Sequence, residues 1–207
     1  MTQGRAFDRL LAFSDAVVAI ALTLLVLPLV DLPHAVTENA NIGRVLADAS
    51  NELIAFGVSF LVIWRLWASH HRIFGHCHAI DRPTAVVNFI WLATIVVLPF
   101  PTALLSTPVS ERGAVPLYVA VLLVSTVTLQ VMTWRTRHRP GMVDPGDSDS
   151  RDWLAGRTDW ATPASMVLAL ILSLVFLTIG PWVMFLLFLP LVLAGLRSRL
   201  RGHRRVR

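Results

Sequence analysis

Asp15 and its neighbour Ser14 stand about one and a half turns into an apolar run that extends from Leu10 to Val30. An ionised side chain at that depth costs roughly 3 kcal/mol or more unless it is paired or wetted. Two kinds of chemistry answer that need: a proton or cation relay, or a structural hydrogen bond to a neighbouring helix. On the same run Ala16, Ile20, Thr23, Leu24 and Leu27 fall within about 60° of one line at 100° per residue, whereas Asp15 lies roughly 140° from Ile20. If the Ile/Leu stripe bounds a pore, Asp15 points into the protein behind it. If Asp15 lines the pore, the stripe faces other helices. The pattern alone does not choose.

A second polar group, His70, His71, His76, Cys77 and His78, gathers at the end of the next apolar run. His and Cys together can hold zinc or another transition metal. The spacing fits no established finger, and the histidines lie at a span edge, not within facing spans as haem ligation requires. No metal and no cofactor is expected. With a single cysteine, Cys77, the chain forms no intrachain disulfide.

The elements that must position these residues are helices in a bilayer. Of 207 residues 55% are hydrophobic and only 15% charged, against roughly a quarter charged in a soluble domain. The apolar residues fall into runs of about the 20 needed to cross a membrane. Six can be read, at approximately 10–30, 46–68, 84–105, 114–134, 161–179 and 181–196, so the fold class expected is an all-α membrane protein with six transmembrane helices in one domain, residues 1–207. The last two runs are divided only by Gly180-Pro181, a strong helix breaker read as a tight hairpin. The first run lacks a small-residue cleavage site and is followed by further spans, so it is not expected to be a removable signal peptide.

All 18 basic residues are arginine. With the N-terminus inside, only Arg44 and Arg112 fall on the far side, which puts both termini in the cytoplasm by the positive-inside bias. Residues 135–160, with Pro140-Gly141 and Asp144, Asp147, Asp149 and Asp152, read as a flexible cytoplasmic loop. The basic tail 197–207 would lie against anionic headgroups. Membrane topology accounts for the net charge of +5, so no nucleic-acid partner is expected. No internal repeat is visible.

The string Arg9-x3-Phe13-Ser14-Asp15-x3-Ala19-Ile20-x2-Thr23-Leu24-Leu25 resembles the signature of the transmembrane protein 175 family, potassium channels of endosomes and lysosomes and their prokaryotic relatives. Trp67-x2-His70-His71-Arg72-x-Phe74 resembles that family's motif at the end of the second helix. Asn88 followed by Leu98-Pro99-Phe100-Pro101-Thr102 resembles its third. The resemblance covers roughly residues 5–105 in motifs. It implies a pore lined by the first helix of each of four six-helix units, which one copy of the signature reaches as a homotetramer. Ile20 would then form the narrowest apolar ring, Thr23 would supply hydroxyl oxygens one turn outward, and Leu24 and Leu27 would add further rings. It implies too that Arg9, Phe13, Ser14 and Asp15, with Trp67 and His70 or His71, hold the pore helix in place. Pro28 stands where many prokaryotic relatives carry an acid, leaving Asp31 and Glu38 as the nearest acids to that mouth.

The function expected is therefore a potassium-selective channel of the cell membrane whose partners are potassium ions, the lipid bilayer and copies of itself. The rival is a secondary cation or proton-coupled transporter, whose marks would be internal repeats or Gly/Pro-broken helices meeting at the midplane. No nucleophile, base and orienter set or phosphate loop is present, so an enzyme is not expected.

Overall fold

Hydrocarbon leaves each backbone N–H and C=O to be satisfied within its own segment, so spanning runs fold as helices. The computed structural model describes residues 2–30, 41–106 and 110–175, apart from 140, 145, 147, 157 and 159. Among them the elements are α1 (Thr2–Leu24), α2 (Leu27–Val30), α3 (Ile42–Asp48), α4 (Ser50–Phe74), α5 (Arg82–Val97), α6 (Pro99–Leu105), α7 (Ser110–His138), α8 (Ser148–Ala155) and α9 (Ala161–Val175). Among the described residues four helical stretches are long and apolar enough to cross a membrane: Gly4–Val30, Ser50–Phe74, Arg82–Leu105 and Gly113–His138.

Two spans are broken, each at a proline. After Leu24 the first helix turns through Leu25 and Val26 before α2, and the Val26 amide donates to the Thr23 carbonyl at 3.2 Å. Pro28 has no N–H to offer the Leu24 carbonyl one turn back. Pro99 divides α5 from α6 in the same way, with Leu98 still helical at φ −52°, ψ −37°.

Boundaries differ from the sequence reading where local chemistry intervenes. The second span begins at Ser50 and runs on to Phe74, and residues 42–48 form a separate α3 whose first turn is capped by Asn41, accepting from the Arg44 amide at 2.9 Å. The fourth helix continues to His138. Within 135–160, read as a flexible loop, the described residues include α8 and are tied down. Val143 bridges to Cys77, the His78 amide donates to the Met142 carbonyl at 3.1 Å, and Trp153 of α8 stacks on His76 with the Arg137 guanidinium 4.6 Å over its ring. Described residues carry the fifth run to Val175. The rest of it, the hairpin at Gly180-Pro181, the sixth run, the basic tail, Asp31 and Glu38 lie outside the described residues.

α7 packs against α4, α5, α6 and α9, and α1 lies on α4 and α5. The core between them is built from Ile63, Trp91, Ile95, Leu98, Tyr118 and Met132, all buried. α1 contributes Phe7, Ser14, Val18, Ala21 and Leu25, spaced so that all five fall within about 40° of one line.

One end of the bundle is pinned by charge. Asp81 caps α5 by accepting from the Thr84 amide at 2.9 Å, and Arg135 of α7 donates to Asp81 Oδ2 at 2.6 Å and to Thr84 Oγ1 at 3.0 Å. Burial alone would raise the Asp81 carboxyl, but the bonds from Thr84 and from Arg135 outweigh it and hold it below the usual carboxylate range. A carboxyl depressed in the folded state contributes stability above its unfolded value near ~3.9 and loses it as pH falls through the lower folded value. Thermal midpoints in detergent should therefore show an acid-side decline below about pH 4 that Asp81→Asn removes, with a loss of roughly 1–3 kcal/mol for that variant at neutral pH because Arg135 loses its carboxylate. An unchanged acid limb in Asp81→Asn would contradict this.

Candidate functional site

The polar residues of the first helix meet two others. Asp15 Oδ1 accepts from the indole N–H of Trp67 on α4 at 2.9 Å. Ser14, buried on the bundle side, donates to the Leu10 carbonyl at 2.9 Å and accepts from the Asn88 amide nitrogen on α5 at 3.0 Å. The Asn88 side-chain oxygen is 2.7 Å from His70 Nε2. With the Asn88 nitrogen donating to Ser14, its oxygen must accept, so Nε2 is the protonated ring nitrogen of His70. The result is a one-directional relay from His70 through Asn88 and Ser14 to the backbone of α1.

Aromatic packing fixes the far side of that relay. His70 lies parallel to Trp91 at 4.1 Å and 8°, with Phe74 at 4.6 Å. Trp67 is flanked by Trp64 at 5.0 Å and by His71 at 5.3 Å. The two histidines therefore part company: His70 reaches Ser14 through Asn88, and His71 stacks on Trp67.

Asp15 is turned toward α4 and away from the Ile/Leu stripe. Ile20 is 59% exposed, Leu27 56% and Leu24 38%, and Thr23 and Ala16 are exposed beside them. Among the described residues this stripe is left exposed. Thr23 donates its hydroxyl proton to the Ile20 carbonyl at 2.7 Å, which leaves oxygen lone pairs on the exposed side. The structure does not bring Arg9 or Phe13 into the cluster: Arg9 is exposed and Phe13 is 55% exposed. The histidines and Cys77 separate likewise. His70 points into the bundle, His76 stacks on Trp153, and Cys77 donates to the Ile73 carbonyl at 3.4 Å. Among the described residues no three His, Cys, Asp or Glu side chains form a metal-binding group.

Sequence reasoning set His70 or His71 directly on the Ser14–Asp15 pair and gave Asn88 no part in it. Its signal was available: a lone carboxamide between Val87 and Phe89 in an apolar span needs a buried partner.

Fold and site together define a multi-span α-helical membrane protein whose first helix is locked from behind by hydrogen bonds and bare in front. Residues 9–99 match the family described as endosomal/lysosomal potassium channel TMEM175. A potassium channel of Streptomyces collinus is 31% identical over 141 residues, 66% of this chain and 68% of the relative. The crystal structure of a lysosomal potassium-selective channel TMEM175 homolog from Chamaesiphon minutus superposes with a TM-score of 0.68 at 27% identity, over 94% of this chain and 98% of that one. The human endosomal/lysosomal proton channel TMEM175 is 26% identical over 95% of this chain, which spans 41% of that longer protein. This chain belongs to the TMEM175 family.

Asn88 satisfies two buried groups at once, whereas Trp67 supplies one bond. Asn88→Ala should therefore lower stability in detergent by roughly 2–4 kcal/mol and Trp67→Phe by about 1–2 kcal/mol. Equal thermal midpoints for the two variants would contradict the relay.

Proposed function

We propose that this chain is a potassium-selective channel, not an enzyme, and that it conducts along the first helices of four identical subunits. The observation that carries this is the division of α1: a face bound to α4 and α5, and opposite it an apolar stripe left exposed among the described residues. Four such stripes around an axis would place Ile20 at the narrowest ring. A ring of isoleucines excludes a hydrated ion by dewetting, and slight dilation admits an ion with part of its shell removed. Potassium releases water more readily than sodium, so the neck penalises sodium more. The Thr23 oxygen, its proton committed to the helix backbone, would face the ion next, with Leu24 and Leu27 beyond. Ile20 to Leu27 covers only about 10 Å, a short constriction.

Potassium ions, the bilayer and further copies of the chain are the partners this requires. The cell membrane is the expected location, with both termini cytoplasmic by the arginine bias. The names of the bacterial relatives favour the same activity. Against a secondary transporter, the two proline breaks lie toward one end of their spans, not at the midplane where a transported substrate binds.

Purified protein in liposomes should give currents that reverse at the potassium potential without a coupled ion. Under bi-ionic potassium and sodium, Ile20→Asn should bring the permeability ratio toward unity. Unchanged selectivity in that variant would remove Ile20 from this role.

A further inference from the structure

At the end of the bundle away from His70, a cavity of about 10 Å³, room for one water-sized body, lies beneath the break in the first helix, lined by Leu25, Pro28, Glu52, Phe56, Thr102 and Ser106 among others. Its polar side chains share one property. Thr102 spends its hydroxyl proton on Ser59 Oγ (2.9 Å) and the Leu98 carbonyl (2.8 Å), and Ser106 donates to the Ala103 carbonyl at 3.0 Å. Both hydroxyls therefore have lone pairs, not protons, left to offer. Glu52 Oε2 is buried and meets no donor among the described residues. Pro28 has no N–H. Glu52, Thr102 and Ser106 thus bring three oxygen acceptors to the lining of a small, mostly apolar hollow.

We propose that this pocket binds a single alkali cation through Glu52, Thr102 and Ser106. One carboxylate with two hydroxyls is a hard, oxygen-only set that suits a monovalent ion, whereas calcium or magnesium is held by several carboxylates, carbonyls or waters. A lone water can donate to only two of the three acceptors, and it leaves the carboxylate charge unbalanced in a largely apolar setting. Glu52 sits in the first turn of α4, where a carboxylate is favoured by the helix N-terminus. Leu25, Pro28 and Phe56 supply the apolar wall. Because Leu25 and Pro28 flank the break in the first helix, an ion here would brace that break against α4 and α6. The site lies off the Ile20 stripe, so binding at it is measured separately from conduction.

The test is rubidium binding to the purified protein, read as anomalous scattering in crystals and as thermal-midpoint shifts, with choline replacing rubidium at constant ionic strength. Expected are an anomalous peak in the pocket and an apparent affinity on the order of tenfold weaker in Glu52→Gln, with a smaller loss in Ser106→Ala. Ser106→Ala also serves if Glu52→Gln fails to fold. No peak in the pocket, or equal midpoint shifts in wild type and variants, would show a buried water only and overturn the proposal. Rubidium at the Ile20 ring but not in the pocket overturns this site and leaves the channel standing.

Discussion

Ser14 and Asp15 are polar groups on a helix that crosses hydrocarbon, and each must find a partner inside the protein. Among the described residues α4 and α5 each supply one across the bundle. Trp67 donates to Asp15 and Asn88 to Ser14, two bonds from two helices to adjacent residues about 100° apart around the axis. Together they fix the rotation of α1. The apolar residues that follow then divide accordingly: Val18, Ala21 and Leu25 face the bundle, and Ile20, Leu24 and Leu27 do not. Small Ala21, fully buried, lets the helices approach closely.

The two ends of the bundle are held differently. Near the relay, charge and stacking bind the chain to itself: Arg135 joins α7 to the cap of α5, and the Trp153 stack lays α8 beside His76 and Arg137. At the other end the first helix is broken after Leu24, the third span is broken at Pro99, and the Glu52 pocket lies between. The first helix is thus held by side-chain hydrogen bonds at one end and interrupted within the stripe at the other.

Much of this could be read in the sequence. Apolar runs gave the first four spans because membrane burial is written in composition, and the Phe13-Ser14-Asp15 string marked the helix that matters. Spacing alone could not say which way Asp15 pointed, because both rotations of the helix satisfy the same periodicity. Packing against α4 and α5 decides that. Asn88 escaped because its partners lie 18 and 74 residues away, a pairing no local pattern records. The anchoring of α8 escaped for a similar reason. Aspartates, prolines and glycines read as a solvated loop, while the single Trp153 that anchors α8 finds His76 only in three dimensions.

The most direct test places a cysteine on the stripe. In a Cys77→Ala background, Ile20→Cys and, as a control, Phe89→Cys on the exposed face of α5 would be oxidised in native membranes and the chains resolved without reductant. Four first helices around one axis should bring the position-20 sulfurs of neighbouring copies together, giving disulfide-linked dimers for Ile20→Cys and none for Phe89→Cys. Linked dimers from Phe89→Cys, with Ile20→Cys remaining monomeric, would put the stripe in lipid and contradict the account.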